Sequence, residues 1–237
     1  MIARDRYLTI AAWGVHLFTA SGAVAGLFAL DRIAANDYRS AFMFMAVAIA
    51  IDSADGTFAR SLKVRERIPI FDGAMLDNII DYLNYVAVPV FLMLSAAILP
   101  RTVFGYLAAS LVMLASAYGF SRLDAKTEDH YFLGFPSYWN LVALYLFCLG
   151  LSSAWNSLIT VLLALMVFVP IKYIYPSRTE PMRLFTLALA LVWAPITLAL
   201  IPFVPKVNPI LLYTSLAFVL YYFLMSFALH ARALWKL

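Results

Sequence analysis

Eight apolar stretches, near 8–30, 38–58, 74–98, 103–120, 135–151, 154–172, 184–204 and 208–229, set the terms for this chain. Each is close to the ~20 residues that a helix needs to cross the hydrocarbon core of a bilayer. Together they raise the hydrophobic content to 65% and leave only 13% of residues charged. Soluble domains carry about 45–50% apolar and about 25% charged residues. One small core cannot bury the excess, so lipid is the natural solvent for it. The stretches lack the strict polar/apolar alternation of a membrane barrel, and in lipid each helix satisfies its own backbone polar groups. The expected fold is all-α: a single domain over 1–237, a polytopic transmembrane bundle of about eight spans.

Charge placement orients it. With the N-terminus inside, Arg4, Arg6, Arg60, Lys63, Arg65, Arg67, Arg122, Lys126, Lys172, Arg178, Arg183, Arg232 and Lys236 fall on the cytoplasmic side. Only Arg32, Arg39, Arg101 and Lys206 fall outside. The asymmetry predicts that both termini are cytoplasmic. The first stretch is longer than the hydrophobic part of a signal peptide, so an uncleaved first helix is expected. The net charge of +4 is spread among short connections, with no aromatic-interleaved basic stripe, which excludes nucleic-acid binding. The lone Cys148 sits in an apolar run and reads as a small hydrophobe.

Six of the thirteen acidic residues crowd between positions 52 and 81. Asp52, Asp55, Asp77 and Asp81 lie in or beside apolar helices, where each carboxylate costs about 2.5–3.5 kcal/mol to insert at a helix centre. The i, i+3 spacing of Asp52 and Asp55 puts them on one helix face, and so does the i, i+4 spacing of Asp77 and Asp81. Two neighbouring helices then bring the pairs together at the cytoplasmic boundary. All-oxygen donors favour hard cations, Mg²⁺ or Mn²⁺, over zinc. Gly56 and Ala59 leave room beside the first pair, Arg60 offers a planar fork to a phosphate, and Gly73 opens the second helix. This set suits a metal–diphosphate site. Asp72 and Glu66 read as solvated loop charges, and His16 as a hydrogen-bonded core histidine.

The runs Asp52-Ser-Ala-Asp55-Gly56-Thr-Phe-Ala59-Arg60 and Gly73-Ala-Met-Leu-Asp77-Asn-Ile-Ile-Asp81 resemble the signature of the CDP-alcohol phosphotransferase family at all eight of its defining positions. The twelve-residue spacer, Ser61 to Asp72, is longer than is common in that family. The resemblance implies an enzyme of the bacterial inner membrane whose active site faces the cytoplasm. It implies that Asp52, Asp55, Asp77 and Asp81 hold Mn²⁺ or Mg²⁺, as a pair of ions, and that Asp81 is also the catalytic base. Asp52, Asp55, Gly56, Ala59, Arg60, Gly73 and Asp77 would bind the CDP moiety. Family members commonly dimerise, so a homodimer is a further expectation.

Three more segments, Val15–Gly22, Phe132–Asn140 and Tyr175–Arg178, resemble the bacterial members of this family whose acceptor is choline. That likeness implies transfer of the phosphatidyl group of CDP-diacylglycerol to choline, with release of CMP. A quaternary ammonium needs aromatic faces, often with a carboxylate. Tyr82, Tyr85, Tyr118, Tyr138 and Trp139, with Glu128, are the candidates near the active face; interfacial anchoring is the ordinary role of such residues. Arg122, Lys172 and Arg178 are candidates for the lipid phosphate. Two alternatives stay open: a family member with serine, inositol or glycerol phosphate as acceptor, and a cation transporter using the same carboxylates.

Overall fold

A computed structural model describes residues 2–180 and 182–234; Lys236 lies outside them. Helix α1, Ile2–Ala34, runs to a turn at Asn36, where the backbone is left-handed, and α2, Tyr38–Ser61, packs back along it. Asp37 caps α2 by accepting from the Ser40 N–H at 3.1 Å. The spacer that follows holds one short helical turn, α3, Val64–Arg67. Val64 and Ile68 seat the spacer on α1 by burying against Ala12 and Val15.

The third long helix is not uniform. It begins as α4, Gly73–Asp81, capped by Asp72 through the Met75 N–H at 3.0 Å. It widens to a π-helical segment over Tyr82–Ala87 and continues as α5, Val88–Ser95. Pro89 explains the widening: it has no N–H to give the Tyr85 carbonyl, and its ring crowds that carbonyl. The extra residue in the turn aims Asn84 at α1, where its Nδ2 donates to the Gly22 carbonyl at 3.0 Å, and Tyr85 at α2. Close approach needs small residues on α1: a Cβ on Gly26 would lie 2.6 Å from Asn84 Oδ1.

Helix α6, Val103–Ser121, is followed by α7, Trp139–Leu149, and α8, Ser153–Met166. Among the described residues six helices are long and apolar enough to cross a membrane: Arg6–Ala34, Tyr38–Ser61, Gly73–Ser95, Val103–Ser121, Arg183–Phe203 and Pro209–Ala233. The fifth and sixth apolar stretches instead form α7 and α8, about 16 and 21 Å long at the helical rise. They are shorter than the expected 135–151 and 154–172 because extended chain flanks them. Even so, α8 reaches both ends of α6. Asn156 Nδ2 donates to the Ile98 carbonyl at 3.1 Å near one end, and Val167 packs on Gly119 at the other.

Before α7 and after α8 the chain forms two short strands, β1, Tyr131–Leu133, and β2, Lys172–Ile174. They pair antiparallel, with Tyr131 opposite Ile174 and Leu133 opposite Lys172. Helices α9, Arg183–Leu200, and α10, Pro209–Leu234, complete the bundle. The core joins Phe42 and Met45 of α2, Leu92 and Met93 of α5, Trp139 of α7 and Tyr173 of β2. Leu17, Leu114, Leu191 and Ile210 are exposed, as residues facing lipid are.

Candidate metal centre

Asp52 and Asp55 stand one turn apart on α2, and Asp77 faces them from α4. One carboxylate oxygen from each of the three lies within 4.8 Å of the others. Asp81, one turn beyond Asp77, borders the same enclosed space of about 10 Å³, which Asn84 and Tyr85 also line. That volume suits a single ion-sized or water-sized occupant.

Their hydrogen bonding is sparse. The Thr19 hydroxyl donates to Asp55 at 2.8 Å, and the Tyr85 hydroxyl donates to Asp52 at 2.7 Å. Among the described residues no lysine or arginine forms an ion pair with any of the four. Asp55 is buried and the other three are half-buried. Carboxylates so close repel one another, and burial penalises each charge further. The donor set, all oxygen and clustered, therefore fits a hard divalent cation.

Three spaces meet at Asp77. One is the small one just described. A second, about 600 Å³, lies between α1, α2 and the spacer. Asp55, Gly56, Ala59 and Gly73 border it, as the resemblance implies for a nucleotide pocket. Arg60 does not; its exposed guanidinium lies back over Gly56 and donates to the Thr57 hydroxyl at 3.2 Å. The third, about 300 Å³, opens on the other side of α4 and is bordered by Asp77, Asp81, Arg122 and Lys126.

The candidate acceptor residues do not form one group. Tyr85 and Tyr138 lie together, ring centroids 6.5 Å apart, and border an apolar chamber of about 470 Å³ with Phe135 and Tyr222. Tyr82 faces α6, donating to the Met113 carbonyl at 3.0 Å. Trp139 is fully buried and donates to Ser116 Oγ at 2.8 Å. Tyr118 is exposed and lies under the Arg122 guanidinium at 5.5 Å. Glu128 is an exposed loop residue.

The candidate phosphate ligands also separate. Arg122 borders the 300 Å³ space but is engaged by both oxygens of Asp124, at 2.8 and 2.7 Å, and this pairing holds the Asp124 carboxyl below its usual range. Lys172 lies outside that space, 2.5 Å from Asp129 and over the Tyr131 ring. Arg178 is exposed over the Tyr175 ring.

Sequence reasoning passed over several residues here. Lys126 reads from the sequence only as an orienting charge, yet it borders the 300 Å³ space. Asn84 carries no signal, its partner being 62 residues away, and Thr19 lies in the Val15–Gly22 resemblance with no role of its own, its partner being 36 residues away. His16 is a correction: it is buried, yet among the described residues its Nε2 has no hydrogen-bond partner. Asp72 is exposed as expected, but it also caps α4 and borders the large cavity.

No family model matches the chain. Curated relatives do. The chain is 44% identical over 171 residues to the phosphatidylcholine synthase of Legionella pneumophila, covering 72% of this chain and 67% of that one. It is 39% identical over 212 residues to the enzyme of the same name from Legionella bozemanae, covering 86% and 97%. A third, from Borreliella burgdorferi, is 40% identical over 185 residues, covering 77% and 78%.

Proposed function

We propose, from the premise that this chain belongs to the phosphatidylcholine synthase family, that it transfers the phosphatidyl group of CDP-diacylglycerol to choline and releases CMP. The observation that carries the site assignment is the convergence of Asp52, Asp55 and Asp77 with almost no protein donors to satisfy them. These three, with Asp81, would hold Mg²⁺ or Mn²⁺; the 10 Å³ space takes one ion, and the family resemblance speaks for a second beside it. When bound, the cations supply charge neutralisation at the diphosphate.

The chain's own residues divide the rest. The 600 Å³ cavity, walled by Gly56, Ala59 and Gly73, takes the nucleotide. Asp81, bordering both the carboxylate space and the 300 Å³ space, accepts the choline hydroxyl proton. The choline oxygen then bonds to the lipid-side phosphorus, and the bond from that phosphorus to the bridging oxygen breaks, releasing CMP. A carboxylate is a weak base for an alcohol, so most of the acceleration comes from positioning and charge neutralisation. Arg122 and Lys126 supply positive charge on the donor-phosphate side. Tyr85 and Tyr138, with Tyr222, offer ring faces to the trimethylammonium group, and the Tyr85 hydroxyl ties that region to Asp52.

The same reading places the chain in the inner membrane with both termini and the carboxylate end facing the cytoplasm. The charge asymmetry of the connections supports it. So does the even number of helices of spanning length among the described residues, which returns the chain to the side it left; α7 and α8, if they cross as a pair, bring the total to eight without changing that.

The test is acceptor choice. Purified protein with CDP-diacylglycerol and Mn²⁺ is offered choline, serine, inositol and glycerol phosphate separately, with a chelator control. Phosphatidylcholine and CMP in equal amounts, from choline alone and only with metal, is the expected result. Turnover of another acceptor would overturn the choline assignment while leaving the metal site in place.

A further inference from the structure

The spacer between the two aspartate pairs is longer than is common among CDP-alcohol phosphotransferases, and here it is a built wall. Val64 and Ile68 anchor it to α1, and Arg65, Pro69 and Phe71 border the 600 Å³ cavity opposite Gly56. Val15, His16 and Thr19 of α1 border the same cavity, and of these His16 packs against the wall at Phe71. It is 8% exposed, and its Nε2 is buried without a partner. A buried polar atom left this way is penalised, so something is expected to complete it.

The ring is held in place. Trp13 meets it edge-on at 5.8 Å, and Phe71 of the spacer packs against it at 4.4 Å. Gly73 makes room: a Cβ there would lie 2.8 Å from His16 Cε1. A second position fact bears on the ligand. Thr19, one turn further along α1, donates to Asp55, so His16 stands about 5 Å along the helix from the carboxylate end. A nucleotide whose phosphates lie at the carboxylates extends its ribose and base along this wall.

We propose that His16 is a specificity-determining residue that hydrogen-bonds the pyrimidine base of the nucleotide, from a socket made by Trp13, Phe71 and Gly73. A neutral imidazole carries one donor and one acceptor nitrogen. Cytosine offers an exocyclic amino donor beside ring and carbonyl acceptors, so one such bond completes Nε2 when the spacer wall at Phe71 yields to admit the base. The inference rests on the nucleotide occupying the 600 Å³ cavity.

Calorimetric titration of the full-length protein with Mn²⁺ tests it, using CMP and ribose 5-phosphate as separate probes. His16→Ala is expected to weaken CMP about tenfold and to leave ribose 5-phosphate within about twofold. His16→Gln, which keeps a polar end, is expected to recover part of the loss. Equal weakening of both probes, or no change in either, would overturn the proposal. A wild-type protein that binds neither probe would overturn the nucleotide cavity itself, a distinct failure.

Discussion

Two of the polar side-chain clusters that sit among apolar helices in this molecule are built on opposite principles. Between α7, α9 and α10, Tyr145, Trp193, Thr197 and Ser215 close on one another. Trp193 Nε1 donates to the Tyr145 hydroxyl at 2.9 Å, Tyr145 and Ser215 share a 2.5 Å hydrogen bond, and Thr197 and Ser215 share one of 2.7 Å. Thr197 also donates to the Trp193 carbonyl at 2.9 Å. Every member is neutral and partnered. Between α2 and α4, four carboxylates share two side-chain donors, Thr19 and Tyr85. The first arrangement stabilises the bundle without outside help. The second is complete only with a cation, and so it marks where a ligand works.

The comparison breaks most readily at Asp81. Replacing it with Asn is expected to lower CMP release about a thousandfold, within the range for loss of a general base. The thermal midpoint should hold or rise, since a repelling charge is gone. A matched loss of folding would mean that Asp81 is structural, like the hydroxyl cluster. A smaller effect is expected from Tyr85→Phe, which leaves Asp52 without its hydroxyl donor. Turnover should fall about tenfold, consistent with a lost charge-assisted bond, as read from steady-state kinetics.

Tyr145→Phe should show the converse. It removes the acceptor of the Trp193 N–H and the partner of Ser215, destabilising the fold by about 1–3 kcal/mol in a denaturation series. Turnover of the folded fraction should change less than in Tyr85→Phe, because Tyr145 borders the apolar chamber but donates to no carboxylate. The weakest expected effect lies at the surface. Asp129 is buried enough to raise its pKa somewhat, but bonds from Lys172 and Thr127 outweigh this and leave it below the usual value. A depressed carboxyl stabilises above its unfolded pKa, and that contribution fades as pH falls through the folded value. Because the pair is exposed, it contributes about 0–1 kcal/mol. Asp129→Asn should therefore matter little at pH 7 and not at all once the pH is below the lowered folded pKa, by thermal midpoint against pH.

The legible parts of the molecule are those written in local spacing. The i, i+3 and i, i+4 pairs put Asp52, Asp55, Asp77 and Asp81 on facing helix sides, and the long apolar runs marked six helices of spanning length. What stayed hidden depends on contacts distant in sequence. The β1–β2 pairing joins residues about forty positions apart, and so Lys172 sits in a strand and not at a helix end. The π-helical turn before Pro89 redirects Asn84 and Tyr85 in a way that apolar periodicity does not register. Trp139 looked like an interfacial ring, yet Ser116 of α6 holds it in the core. His16 looked like a satisfied core residue, because a missing partner is visible only once every neighbour is in place.

The central claim is that the carboxylate cluster is finished by a divalent cation, and Mn²⁺ binding tests it most directly. Electron paramagnetic resonance would follow Mn²⁺ added to the purified protein in the presence of CMP, for the wild type, Asp77→Asn and Tyr145→Phe. Saturable binding in the wild type and in Tyr145→Phe, lost in Asp77→Asn, is the result predicted here. Binding that is unchanged in Asp77→Asn, or absent from the wild type, would contradict it.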